Sequence, residues 1–199
     1  MTESDSKAAA SALLVGGVAL LPTDTVYGLV AHPEQPLAAR GIFQLKRRPD
    51  ALRLQVLAGS LADLERIGAQ LPPAAEALLS NDAIKGGITF IFALDPALRP
   101  EWLADRDEVG VRFPADVFIQ SIISETGPLY ATSANAHGKP PGETVADILA
   151  DLDGAPDYVA DGGRLVGVNS TVVNFNADPP RIERLGAVDD LTTYGLGHA

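Results

Sequence analysis

Apolar residues in this chain form short runs broken by proline, glycine and hydroxyl-bearing residues, and the runs alternate between helical and strand character. Lys7 to Val15 (KAAASALLV) predicts a helix closed by Gly16-Gly17, because glycine accepts the left-handed conformation past a helix end. Met1–Ser6 before it is polar and acidic and is expected to be disordered. Val18–Leu21 is wholly apolar and predicts a short buried strand, ended by Pro22, which cannot donate to a sheet ladder. Three hydroxyls and one carboxylate (Thr23, Asp24, Thr25, Tyr27) follow within five residues, before Gly28 and a new apolar pair. Two readings fit that stretch. A strand ending in dense hydrogen-bonding groups is how an α/β sheet presents a ligand site at its edge. Thr and Asp capping a following helix is the plainer alternative.

Further along, Pro36–Leu45 predicts a helix with Leu37, Ile42 and Leu45 inward, and Pro49 cannot continue it. Leu52–Ala58 predicts a strand. Ser60 with Asp63 resembles a capping box opening a helix to about Ala69, and Pro72 starts another to about Ser80. Ile88–Leu94 (ITFIFAL) is almost entirely apolar, β-branched or aromatic, which predicts a central strand buried on both faces. After a loop over Pro96–Asp107 come a strand at Val109–Phe113, a helix over 115–125 and a strand at Leu129–Thr132. A Gly/Pro-rich loop at His137–Gly142 leads to a helix over 145–152 capped by Thr144. Tyr158–Ala160, Ser170–Phe175 and Arg181–Arg184 predict the remaining strands, with a turn at Asp161-Gly162-Gly163. The tail over 187–199 is expected to be weakly structured. No repeat or linker interrupts this pattern, so the expectation is one mixed α/β domain over 1–199, with its strand order open.

The chain has 199 residues, enough for a single domain that buries roughly 70% of its unfolded surface. It contains no cysteine, which excludes disulfides, zinc–thiolate sites and a cysteine nucleophile. No apolar run approaches the ~18–20 residues of a membrane span, and the N-terminus is not a signal peptide; a cytoplasmic, membrane-free protein is the expectation. The formal net charge of −11 opposes general nucleic-acid binding, which depends on neutralising phosphates. Against that background, Arg40, Lys46, Arg47, Arg48 and Arg53 form a cationic cluster opposed only by Asp50.

Familiar catalytic signatures are absent: no P-loop, no G-x-G-x-x-G, no G-x-S-x-G and no H-E-x-x-H. His32, His137 and His198 have no ligand spacing, so a metal held by side chains alone is not expected. What remains is a series of polar clusters placed just after predicted elements: Thr23/Asp24/Thr25/Tyr27, Lys46/Arg48, Arg112, Ser133/Asn135, Asn169/Ser170/Thr171 and Arg184. Singly, an Arg between apolar residues marks the solvent face of a strand. Converging, they make a pocket with several cations and many short donors, which suits a polyanionic small ligand.

In sequence order these clusters resemble the motifs of the YrdC family of threonylcarbamoyl-AMP synthases over nearly the whole chain. Leu21–Leu29 is similar to the family's PTDTVYGL, and Lys46-Arg47-Arg48-Pro49 to its K-x-R-P. Val109–Pro114 is similar to VGVR-x-P, and Thr132–Asn135 with Gly138 to the SAN-x-SG region. Asp161–Gly163 followed by Ser170–Val173 resembles DGG and (E)STVVD, and Arg184–Gly186 resembles R-P-G. The resemblance implies a twisted mixed sheet flanked by helices around a concave cationic cavity. It implies synthesis of threonylcarbamoyl-AMP and pyrophosphate from L-threonine, bicarbonate and ATP, with Mg²⁺ carried by ATP. A tRNA threonylcarbamoyl-transferase partner would then modify adenosine 37. By the same resemblance Lys46, Arg48, Ser133, Asn135 and Arg184 would bind ATP, and Thr25, Arg112 and Ser170 would hold threonine, with no covalent nucleophile.

The chain also departs from the family pattern. Leu52-Arg53-Leu54 stands where a Lys or Gln, Pro and Leu are usual. Ile84-Lys85-Gly86-Gly87 replaces W-P-G-P, His137 a serine, Pro141 a serine or threonine, Asn169 a Glu and Asn174 an Asp. Two alternatives therefore stay open: a diverged paralogue that binds a nucleotide or other anion without synthase activity, and an RNA-binding or ribosome-associated module.

Overall fold

Side chains alternate across a strand, so the register of a sheet decides which residues share a face. The computed structural model describes residues 1–49 and 53–196. Its strands are β1 (Val18–Leu21), β2 (Gly28–Ala31), β3 (Gln55–Leu57), β4 (Ile88–Ala93), β5 (Glu108–Arg112), β6 (Leu129–Ser133), β7 (Tyr158–Val159), β8 (Thr171–Asn174) and β9 (Arg181–Arg184). They form one mixed sheet in the order β7-β1-β2-β6-β3-β5-β4-β8-β9. The helices are α1 (Glu3–Leu14), α2 (Pro36–Lys46), α3 (Leu61–Arg66), α4 (Pro73–Leu79), α5 (Asp82–Lys85), α6 (Val117–Thr126) and α7 (Val145–Asp151). Among the described residues, no helix is long and apolar enough to cross a membrane.

One sheet face is mostly apolar, with Thr132 and Thr171 as hydroxyl-bearing exceptions near strand ends. Leu20, Leu29, Val56, Phe90, Phe92, Val111 and Val173 are buried there, together with Ile42 and Leu45 of α2 and Leu64, Ile67, Leu78 and Ile148 from the other helices on that side. Phe90, Phe92, Phe113 and Phe175 stack or meet edge-on with ring centroids 5.8–6.2 Å apart. The opposite face divides in two. Ala19, Leu21, Val30, Leu57, Leu129 and Ala131 lie under α1 and α6, which bring Ala9, Ala10, Leu13, Phe118, Ile119, Ile122 and Ile123. Beyond those helices no described helix covers the face, and a polar cavity opens there.

Several expectations need correction. Residues 1–6 are not disordered: Thr2 and Asp5 form a reciprocal capping box that starts α1 at Glu3, and Ser6 is buried. The hydroxyl-rich stretch does not open a helix. It joins β1 to β2, which pair antiparallel with Leu21 opposite Gly28, so the plainer reading of Thr and Asp as helix caps fails. Strand β2 is hidden in the sequence because only four residues, all buried, follow the loop. Strand β4 is fully buried on its phenylalanine face only; Ile91 on the other face is partly open. The described part of the tail is docked, with Leu191 and Leu196 buried in the main core and Asn81 Nδ2 donating to the Tyr194 hydroxyl at 2.7 Å. The strand expected from Leu52 narrows to Gln55–Leu57; Asp50, Leu52 and His198 lie outside the described residues.

Candidate functional site

The loop between β1 and β2 is organised by its own hydroxyls. Thr23 Oγ1 donates to the Val26 carbonyl at 2.7 Å and accepts from the Thr25 amide at 3.2 Å. Small hydroxyl side chains favour such local turns. Tyr27 is fully buried, and its hydroxyl donates to Gly163 O at 2.7 Å and accepts from Gly162 N at 2.9 Å. The DGG turn is thereby tied to the loop. The segment that follows lies so close above Thr25 that a Cβ at Gly167 would overlap the Thr25 carbonyl oxygen.

Arg112, at the end of β5, points back at this loop. Its Nε donates to Gly86 O at 2.7 Å and its Nη2 pairs with Asp24 Oδ1. Asp24 Oδ2 accepts from the Ala115 amide at 3.1 Å. The remaining Nη1 of Arg112 reaches Thr23 Oγ1 only at 3.4 Å, a long and weak bond that leaves donor capacity. On the opposite side, Arg184 Nη2 donates to Ser170 O at 2.8 Å and to Ser170 Oγ at 3.4 Å. Arg48 donates to Thr132 Oγ1 at 3.1 Å and to Arg53 O at 2.9 Å. Among the described residues its buried Nε has no hydrogen-bond partner.

These groups wall a cavity of about 210 Å³ on the uncovered sheet face, lined by Thr23, Thr25, Gln55, Ser133, Asn169 and Ser170 and by four arginines, 48, 53, 112 and 184. No acidic residue lines it among the described residues. Burial lowers the Arg48, Arg112 and Arg184 guanidiniums from their ordinary value, and Asp24 opposes that shift at Arg112. All three keep their charge at neutral pH. A local field of fixed cations inside a protein of net charge −11 is an anion site. A second cavity shares Val26, Asn169 and Arg184 with the first and runs along Pro140–Glu143 and Leu165.

Six of the eight residues singled out from sequence therefore converge on one cavity: Thr25, Arg48, Arg112, Ser133, Ser170 and Arg184. Lys46 and Asn135 lie behind its wall. The Lys46 ammonium is buried and donates to Ser133 O, to Asn135 O at 2.6 Å and to Asn135 Oδ1 at 3.3 Å, so its three protons are already taken. Burial and the nearby Arg48 charge hold its pKa down to about 8, with Asp151 opposing. Asn135 Nδ2 donates to Ala136 O at 3.0 Å and Lys139 O at 2.6 Å, fixing the loop that follows β6. Arg53, Gln55 and Thr89 carry no role in the sequence reading, although Thr89 is a polar residue inside an otherwise apolar run. The departures are scattered. Asn169 lines both cavities and Pro141 the second, Gly86 holds Arg112, and Asn174 bonds Glu183 away from the site.

The architecture is a mixed α/β domain with a cation-lined cavity on one sheet face. Comparison with known proteins gives that class a family. The model of the Sua5/YciO/YrdC family, described as telomere recombination, matches residues 11–186. Over 183 residues the chain is 34% identical to the threonylcarbamoyl-AMP synthase of Bacillus subtilis, covering 90% of this chain and 53% of that protein. The crystal structure of Pyrococcus abyssi Sua5 complexed with L-threonine superposes with a TM-score of 0.83 at 30% identity, over 94% of this chain and 55% of that one. E. coli YciO shares the fold with a TM-score of 0.83 at 23% identity, over 97% and 94% of the two chains. The chain belongs to the Sua5/YciO/YrdC family, and it spans about half the length of the curated synthases named first among its relatives.

Proposed function

We propose that this domain makes threonylcarbamoyl-AMP from L-threonine, bicarbonate and ATP, and hands it to a tRNA threonylcarbamoyl-transferase in the cytoplasm. The observation that carries the reading is the meeting of Thr25, Arg112 and Ser170 with Arg48 and Arg184 around one cavity, in a chain 34% identical to a named synthase. Arg112 and Ser170 would hold the threonine carboxylate and hydroxyl beside Thr25. Arg48 and Arg184 would take the ATP phosphates, and Ser133 the nucleotide. Lys46 and Asn135 would act by fixing the Ser133–Lys139 backbone beneath it.

The chemistry needs no protein nucleophile. The threonine amine adds to carbon dioxide drawn from bicarbonate and loses a proton, giving a carbamate. A carbamate oxygen attacks the α-phosphorus, and the bond to the β-phosphate oxygen breaks to release pyrophosphate. Both reactants are anionic, so the protein's part is to hold them together and neutralise charge at phosphorus. Mg²⁺ would enter bound to ATP, whose phosphates supply its oxygen ligands.

Pyrophosphate release from ATP and Mg²⁺ that requires both L-threonine and bicarbonate tests the reading. Release without threonine, or none, contradicts it. One observation favours a second reading, an anion binder without adenylate chemistry: the Arg112 fork is already engaged by Asp24 and Gly86, so a substrate carboxylate must share it. Calorimetric ATP binding with no threonine-dependent turnover would select that reading. The −11 charge opposes direct RNA binding in either.

A further inference from the structure

The Gln55 carboxamide lies on the cavity floor with its nitrogen unused. Gln55 Oε1 accepts from Thr89 Oγ1 at 3.0 Å, and Thr89 Oγ1 lies 2.7 Å from Ser170 Oγ. Ser170 Oγ in turn accepts from Arg184 Nη2 at 3.4 Å. A carboxamide oxygen can only accept, so Thr89 spends its one proton on Gln55 and must accept from Ser170 Oγ, and the chain of bonds runs from Ser170 through Thr89 to the Gln55 oxygen. That direction consumes the Ser170 and Thr89 protons. It leaves the two N–H bonds of Gln55 as the terminal donors, and no described residue takes them.

The reach of Gln55 depends on its neighbour. The register Val56↔Val111 sets Gln55 beside Gly110 on the same sheet face. A Cβ at Gly110 would lie 3.3 Å from Thr89 Cγ2 and 3.8 Å from Gln55 Cβ. With no side chain there, the carboxamide crosses β5 to reach Thr89 on β4.

Gln55 also lines a second hollow of about 200 Å³, bounded by Arg53, Thr89, Ile91, Arg106, Glu108 and Gly110. With Arg53 and Val172 it lines both that hollow and the cavity of Arg112 and Ser170. We propose that Gln55 is a specificity-determining residue of the amino-acid subsite: its amide nitrogen donates to the bound amino-acid carbamate, and its side chain closes the subsite against longer side chains. The proposal rests on the synthase reading above and adds to it a residue that lies between the K-x-R-P and VGVR-x-P stretches and belongs to neither.

Two variants separate the donor from the wall. Gln55→Ala removes both. It should raise KM for L-threonine about ten- to hundredfold, the effect of losing one hydrogen bond to a charged group, with kcat changed far less. It should also shift relative kcat/KM from L-threonine towards L-leucine by about tenfold or more. Gln55→Glu keeps the length and can still accept from Thr89, but sets a carboxylate where the donor was. It should raise KM for threonine at least as much as Gln55→Ala without admitting leucine. Melting temperatures close to wild type would exclude misfolding as the cause. KM for threonine unchanged in both variants overturns the proposal, as does leucine use unchanged in Gln55→Ala.

Calorimetry with L-threonine in bicarbonate buffer, without ATP, keeps the two levels apart. If wild type binds threonine but releases no pyrophosphate, the synthase reading fails and the variants' Kd values decide the role of Gln55. If wild type binds no threonine, both fall.

Discussion

The two halves of one sheet face make the instructive contrast. Both are built from alternate residues of one sheet, and β2, β3 and β6 contribute to each. Under α1 and α6 those positions are Ala19, Leu21, Val30, Leu57, Leu129 and Ala131. On the uncovered half they are Gly28, Ser133, Gln55, Arg112 and Thr89. The covered half converts burial into stability, at roughly 1.5–3 kcal/mol for each large apolar side chain removed from water. The open half instead holds desolvated guanidiniums in place with neighbouring oxygens. Nothing in the strand geometry distinguishes them. What differs is whether a helix is available to cover the face, and which side chains line it.

The largest effect on this contrast should come from the apolar side. Phe90→Ala should lose about 3–5 kcal/mol in urea denaturation, since the ring is fully buried among three other phenylalanines. A loss below about 1 kcal/mol, no more than an ordinary surface substitution gives, would mean the aromatic cluster is not the core. On the open half, Asp24→Ala strips Arg112 of its counter-charge while leaving the guanidinium 4% exposed. An uncompensated buried charge costs about 3–5 kcal/mol. Because the Asp24 side chain is 20% exposed, the lower end, about 3 kcal/mol, is expected by the same denaturation.

Lys46 gives the comparison a pH dependence. Its pKa is about 8 in the fold against an ordinary 10.5. Between those values the unfolded chain binds the extra proton, so folding stability rises with pH. Relative to Lys46→Met, wild type should gain up to about 3 kcal/mol from pH 8 to 10.5. A difference independent of pH would show that the buried ammonium is unperturbed. Tyr27→Phe, which loses the bonds to Gly162 and Gly163, should cost about 1–2 kcal/mol. The smallest change in stability belongs to Arg48→Ala, at about 1 kcal/mol or less. Arg48→Ala is nonetheless predicted to lose at least about tenfold in pyrophosphate release, and a large fall in melting temperature would mark Arg48 as structural instead.

Much of this is legible in the chain, for identifiable reasons. Pro22, Pro36, Pro72 and Pro114 punctuate elements through proline's missing donor and fixed φ, and these boundaries hold within a few residues. The site is legible because its donors sit at strand ends, where polar residues interrupt apolar runs. Strand β2 escapes a sequence reading because four residues carry no readable period. The α1 capping box escapes it because a polar chain end looks the same whether or not its side chains close on the helix. Lys46 and Asn135 stand out by motif, but their place behind the wall depends on how α2 packs against the Ser133–Lys139 backbone, a tertiary fact. Gln55 and Thr89 stay hidden for the same reason: their contact crosses β5 and depends on Gly110 leaving the space between them open.

The central claim, that the uncovered half of this face is the substrate site, is tested most directly by a crystal structure with L-threonine and a non-hydrolysable ATP analogue. The predicted result is threonine between Arg112 and Ser170, and phosphates against Arg48 and Arg184. Ligand bound elsewhere, with the Asp24–Arg112 pair and the cavity empty, would contradict it.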